Sequence, residues 1–245
     1  MRRHTMPDNL ALLPPVKRAR GYRLCTENAR FVDLYLDGGR AVLGHNPPGV
    51  LREMKNAAER NLFAPYPSYY TRRFEKALSL LFPGKSFVVY GSIETVPSAL
   101  REQTPEWRPY MKWAGEDALA FLPHPLAPAV LVTGMGNENH GGIPLSPVIL
   151  ALTTRAIYDV LHNPERGAVV YPQADEVLAG GSWKREGIYV RLRDEAADEE
   201  WARIFRRFLD AGFLIPPTQR DPLILPGELS PGEEKALAEC LRCQV

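Results

Sequence analysis

The sequence predicts an α/β protein: a parallel-rich sheet flanked by helices, joined to a smaller α+β unit. Short apolar runs at 86–92, 117–123, 129–134 and 167–172 alternate with segments of helical period, as buried strands and their crossover helices do. Toward both chain ends, short β runs mix instead with strongly amphipathic helices. A chain of 245 residues with 45% hydrophobic content is large enough to bury a substantial core.

Each element has a local reason. Residues 1–20 are basic, and their apolar run 10–13 is far too short for a signal or membrane segment, so they read as an arm of a cytoplasmic protein. Residues 21–44 read as a β-meander, with Phe31, Leu34 and Leu36 at apolar strand positions and Asp37-Gly38-Gly39 as the turn. Leu51, Met54, Ala58 and Leu62 follow a Pro-Pro start at helical spacing. Tyr70, Phe74, Ala77, Leu78 and Leu81 mark a second helix, stopped by Pro83-Gly84.

After the strand at 86–92 comes a predicted helix at 93–102. The helix that follows the run 129–134 has Ser146 as N-cap, Pro147 at its first position and Pro164 just past its end. Residues 167–172 read as a strand. The C-terminal part has a strand at 187–193, then a helix with Trp201, Phe205, Phe208 and Leu209 on one face and Gly212 as its stop. Short β pieces at 213–217 and 221–227 precede a last helix with a capping box of Ser230, Pro231 and Glu233. The predicted organisation is an arm at 1–20, a meander and helix at 21–65 contributing to a small domain, a reduced large domain at 66–181, and the rest of the small domain at 182–245.

Charge and cysteine content exclude several functions. Thirty basic residues against 29 acidic ones, a net +1, leave no basic excess for nucleic-acid binding. Cys240 and Cys243 form a C-x-x-C near the chain end, but no second pair exists to complete a zinc site, and a plain reduced pair is expected. No H-E-x-x-H, Walker A loop or G-x-S-x-G elbow occurs.

In this order, the segments resemble class III aminotransferases, enzymes with the type I fold of pyridoxal-phosphate (PLP) enzymes. "RFVDLYLDGGRAVLGHNPPGVLREM" resembles the family's meander and its Gly-His-x-x-Pro lead into a helix, here Gly44, His45 and Pro48. "SFVVYGSIETVPSALRE" resembles its strand, phosphate-binding turn and helix. "AVLVTG", the Gly141-Gly142 loop, the following helix and "GAVVYPQADEV" are similar to its strand, Gly-Gly loop, helix and Asp-Glu-Val strand end. "REGIYVRL" and "FLDAGFLIPPTQRDPLILPGELSPGEE" resemble its small domain. The resemblance covers roughly residues 20–242, and it implies a reduced form of that fold.

The resemblance also implies site residues. Gly91, Ser92 and Ile93 occupy the phosphate-binding turn, where free N–H groups and a helix dipole meet a phosphate. Ile93 stands where the family has a hydroxyl, and an ordinary strand–helix junction explains the stretch as well. Asp175 occupies the position of the aspartate that pairs with the pyridinium nitrogen; a loop carboxylate after a strand is the alternative. His124 is the nearest counterpart of the ring-stacking segment, and as a loop histidine has no required role.

The Schiff-base lysine has no counterpart. The family places it well beyond Asp-Glu-Val, at a strand end. Between Asp175 and the small-domain strand stands one lysine, Lys184, beside the Arg185-Glu186-Gly187 that opens the small domain. Three readings follow: a catalytically degenerate relative, with PLP binding or a small ligand in a remnant cleft left open; an active transferase with Lys184 or Lys112 recruited; or an unrelated α/β ligand-binding or scaffold protein. The family and the trimmed sheet both imply a homodimer.

Overall fold

A computed structural model describes residues 9–113, 115, 117–134 and 144–242. The chain opens with strands β1 (Arg18–Arg20), β2 (Arg23–Cys25) and β3 (Arg30–Asp33), then helices α1 (Pro48–Ala58) and α2 (Tyr69–Leu81). Strand β4 (Ser86–Tyr90) and the short helix α3 (Ser98–Gln103) follow, then β5 (Glu106–Trp107), β6 (Ala118–Phe121) and β7 (Ala129–Thr133). Helices α4 (Pro147–Leu161) and α5 (Pro172–Gly180) precede the hairpin of β8 (Trp183–Glu186) and β9 (Tyr189–Leu192). Helix α6 (Asp198–Asp210), β10 (Phe213–Leu214), β11 (Leu223–Ile224) and α7 (Pro231–Arg242) complete the described chain.

The chain forms two compact units. One is Gly39–Pro164; the other joins the chain up to Gly38 with the chain from Glu165 onward. The division falls at 38/39 and 164/165, not at the 65/66 and 181/182 read from the sequence. Packing accounts for the difference. Val50 and Met54 of α1 lie against Leu152 and Ala156 of α4, which holds α1 to the central unit. Helix α5 packs on α7, which holds it to the terminal unit.

The central unit is built on a four-stranded sheet of order β4-β7-β6-β5. Strand β7 runs antiparallel to both its neighbours, and only β5 and β6 are parallel. This corrects the parallel-rich expectation. The loop 122–128 between β6 and β7 is too short for a crossover, so the two strands pair as a hairpin. All five residues of β7 are buried. Tyr70, Phe74, Ala77 and Leu78 of α2, with Leu150 and Ile157 of α4, pack with Val130 and Val132 in one core cluster; each large side chain so buried stabilises by roughly 1.5–3 kcal/mol. The helix expected at 93–102 is split into a 3-10 turn, Ile93–Thr95, and α3. Pro97 drives the preceding Val96 to extended backbone, φ −71° and ψ 130°, and so breaks the helix.

In the terminal unit, β10 lies parallel beside β3 in the sheet β1-β2-β3-β10, so the C-terminal β piece completes the meander. Residues 18–20, read as arm, form the first strand of that sheet. A second sheet has the order β11-β9-β8. The apolar face of α6 places Trp201, Ile204, Phe205 and Phe208 in the core, where Trp183 meets Phe208 edge-on at 6.1 Å. The capping box of α7 forms: Ser230 N–H donates to Glu233 Oε2 at 2.8 Å and Glu233 N–H to Ser230 Oγ at 3.3 Å. Cys240 is buried on α7, while Cys243 lies outside the described residues, as does the Gly141-Gly142 loop.

The strand expected at 167–172 is not formed. A 3-10 turn (Pro164–Ala168) and the start of α5 take its place, and Val170 is 71% exposed. Pro172, at the first position of α5, fits a helix start and lacks the N–H a strand needs. Among the described residues, no helix is long and apolar enough to cross a membrane.

Candidate functional site

Strand direction gathers three strand ends at one edge of the central sheet. Because β4, β5 and β6 all run opposite to β7, their C-terminal ends share that edge, the usual place for ligands in open α/β sheets. The register fixes the levels: Tyr90 and Phe121 both pair with Ala129, and Trp107 pairs with Ala120. Gly91 and Leu122 therefore leave the sheet at the same height on either side of β7.

Gly91, Ser92 and Ile93 form the turn after β4, and the backbone of Ser92 is already engaged there. Ser92 N–H donates to Thr95 Oγ1 at 3.1 Å, and the Thr95 hydroxyl donates to the Ser92 carbonyl at 2.7 Å. Ile93 packs against the cluster of Val96, Leu119 and Ala129. A 3-10 turn of three residues follows, so the dipole of a long helix is absent from this turn. The ordinary strand–helix junction accounts for these contacts.

Asp175 stands in the first turn of α5, in the terminal unit, and not at a strand end. Its Oδ2 accepts the Tyr171 N–H at 3.1 Å, satisfying one of the orphan donors at the helix start. Its Oδ1 is held by Arg185 Nη1, and the same guanidinium donates to the Val169 carbonyl and, through Nε at 2.7 Å, to the Gly187 carbonyl. The carboxylate thus ties α5 to β8.

The lysines are equally plain. Lys184 is exposed in β8, opposite Arg191. Lys112 is exposed in the segment after β5. No lysine occurs between them, and the loop 122–128 after β6 reads Leu-Pro-His-Pro-Leu-Ala-Pro.

Sequence reasoning missed Arg108 and Arg40 at this edge. Arg108 is 3% exposed, pairs with Glu106 at 2.8 Å and lies 5.3 Å over the ring of Phe121. Arg40 donates to the carbonyls of Pro125 and Ala127 and so braces the loop that carries His124. His124 Nδ1 accepts the Leu126 N–H at 3.1 Å. Burial, with the Arg40 charge second, pushes the imidazole down to about 4, so it is neutral at physiological pH. A buried arginine within "EWRPY" leaves no periodic signal in the sequence.

No family model matches the chain. The fold is similar to that of solved PLP-dependent transferases, aminotransferases among them. The ornithine δ-aminotransferase of Plasmodium falciparum superposes with a TM-score of 0.65, covering 92% of each chain at 12% identity. A glutamate-1-semialdehyde aminomutase from Pseudomonas aeruginosa gives 0.67, covering 93% of this chain and 86% of that one at 11% identity. In sequence, the chain is 25% identical over 272 residues to an uncharacterized protein of Treponema pallidum (strain Nichols), covering 86% of this chain and 88% of that protein. It is 32% identical over 109 residues to an uncharacterized protein of Borreliella burgdorferi (strain ATCC 35210 / DSM 4680 / CIP 102532 / B31), covering 44% of this chain and 40% of that one.

These neighbours make PLP the cofactor to test for fit. As they stand, the described residues do not fit it. The Ser92 N–H is spent on Thr95, Ile93 stands in place of a hydroxyl, Asp175 is committed to Arg185 and to its own helix, and the two candidate lysines are exposed.

Proposed function

We propose that the protein is an aminotransferase-like protein that has kept the fold and lost the Schiff-base chemistry. The observation that carries this reading is the missing amine. Aldimine chemistry requires a lysine held at the cofactor, and the chain from residue 113 to 183, which includes the edge loop 122–128, contains none. The engaged backbone of Ser92 and the ion pair of Asp175 with Arg185 support it.

In this reading the protein is a cytoplasmic pseudoenzyme, and any small ligand is held by contacts other than a Schiff base. Titration of the full chain with PLP, followed by visible absorbance, tests it. The expected result is the spectrum of free PLP at every ratio. A protein-bound aldimine band that saturates at one equivalent overturns the proposal and favours the recruited-lysine enzyme.

A further inference from the structure

We propose that the outer edge of β4, with the groove between β4 and α2, takes up an extended peptide segment of a different protein as an added strand. Apolar side chains at alternate positions of that segment fill the groove, and acidic residues flank them. This goes beyond the chemistry proposed above and stands whether or not PLP binds.

Edge strands carry unpaired N–H and C=O groups, and proteins usually blunt them by shortness, charge or cover. Among the described residues, five of the six sheet edges are blunted in this way. Strands β5, β10 and β11 have two residues each. Strand β1 carries Arg18 and Arg20, and β8 carries Lys184, Arg185 and Glu186 and packs against α5. Strand β4 has none of these devices. Ser86–Tyr90 is uncharged, free of proline and paired with β7 along all five residues without a bulge. Among the described residues, no backbone hydrogen bond outside that pairing reaches it.

Beside this edge lies a groove of about 480 Å³, a size usual for ligand sites. Phe74 and Leu78 of α2, Phe87 and Val89 of β4, and Leu145 line it. Phe87 and Val89 are two apart and stand on one face of the strand, packed against the same core cluster as α2. A peptide hydrogen-bonded to β4 lies about 4.8 Å further out and puts alternate side chains on that face. Main-chain pairing then supplies affinity, and the groove supplies selectivity. Charge sets the flanks. Arg72 and Lys76 are exposed on α2 beside the lining residues, against one lining carboxylate, Glu75, so the rim favours an acidic segment.

Calorimetric titration of the full chain with the synthetic peptide acetyl-Glu-Val-Thr-Val-Thr-Val-Glu-amide tests this. Binding that saturates at one equivalent is expected, with hydrogen-exchange protection gained by the amides of 86–90. Peptide N–H groups face β4 at alternate positions only. N-methylation of the valines or of the threonines, whichever set faces the strand, is therefore expected to weaken binding roughly tenfold more than the other. Val89→Lys is expected to weaken it by a similar factor, while Leu126→Lys, at an exposed apolar position elsewhere on the same unit, leaves it unchanged. Absence of binding overturns the proposal, as do equal affinities of the two N-methylated peptides or a folded Val89→Lys variant that binds normally. Should that variant misfold, the peptide series on the wild type decides. Protection of 86–90 that rises with protein concentration without peptide also overturns it, because a second copy then occupies the edge.

Discussion

His124 and Glu233 lose protons more readily than usual, for opposite physical reasons. Burial lowers His124 to about 4 because its charged form is desolvated. The Arg23 guanidinium, bonded at 2.7 and 2.9 Å, lowers Glu233 to about 2 by stabilising its charged form. In both cases the folded state binds fewer protons than the unfolded state, so stability is present at higher pH and lost as pH falls. For His124 the loss runs from about 6.5 down to about 4; for Glu233 it runs from about 4.5 down to about 2. Denaturant melts across this range are expected to show two separate losses. His124→Gln removes the upper one, and Glu233→Gln removes the lower one at a cost of about 1–2 kcal/mol at neutral pH, allowing for solvent screening. A single loss shared by both variants contradicts these assignments.

At the scale of elements, α5 carries the sharpest consequence. If Asp175 serves the helix start and the tie to β8, Asp175→Asn lowers stability by about 1–2 kcal/mol in chemical denaturation with no ligand present; a cofactor contact alone predicts no such loss. Glycine contacts give a paired prediction. A Cβ on Gly227 meets the Tyr22 ring at 2.8 Å and its hydroxyl oxygen at 2.4 Å, and the ring is fixed by Arg166, 5.1 Å from its centre. Gly227→Ala is expected to cost about 1–3 kcal/mol. The nearest atoms to a Cβ on Gly49 are at the far end of Arg155, at 2.5–2.6 Å. That flexible guanidinium moves aside, so Gly49→Ala costs less, under about 1 kcal/mol. The amphipathic elements among these were legible in sequence: α2, α6 and the capped α7 announced their faces and ends directly. Strand direction was not, because a buried run such as 129–133 reads the same whether its neighbours are parallel or antiparallel. Residues 167–172 misled for a related reason. Val169, Val170 and Tyr171 look like a strand, and besides Pro172 tertiary contacts such as Tyr171 Oη donating to the Pro226 carbonyl at 2.8 Å hold them as a bridge into α5.

For the whole molecule, the collinear order of segments pointed to the type I fold, and the superposition bears that out at about one identical residue in ten. The candidate site was legible only as positions. Whether Ser92 and Asp175 are available depends on hydrogen bonds to Thr95, Tyr171 and Arg185 that no motif encodes. A scaffold without its amine is tested most directly by covalent trapping. The full chain is incubated with excess PLP, reduced with borohydride, digested and mapped by mass spectrometry. No lysine is expected to be modified above the trace level of the same protein reduced after denaturation. Stoichiometric phosphopyridoxyl label on a single lysine, Lys112 or Lys184 above all, would contradict it.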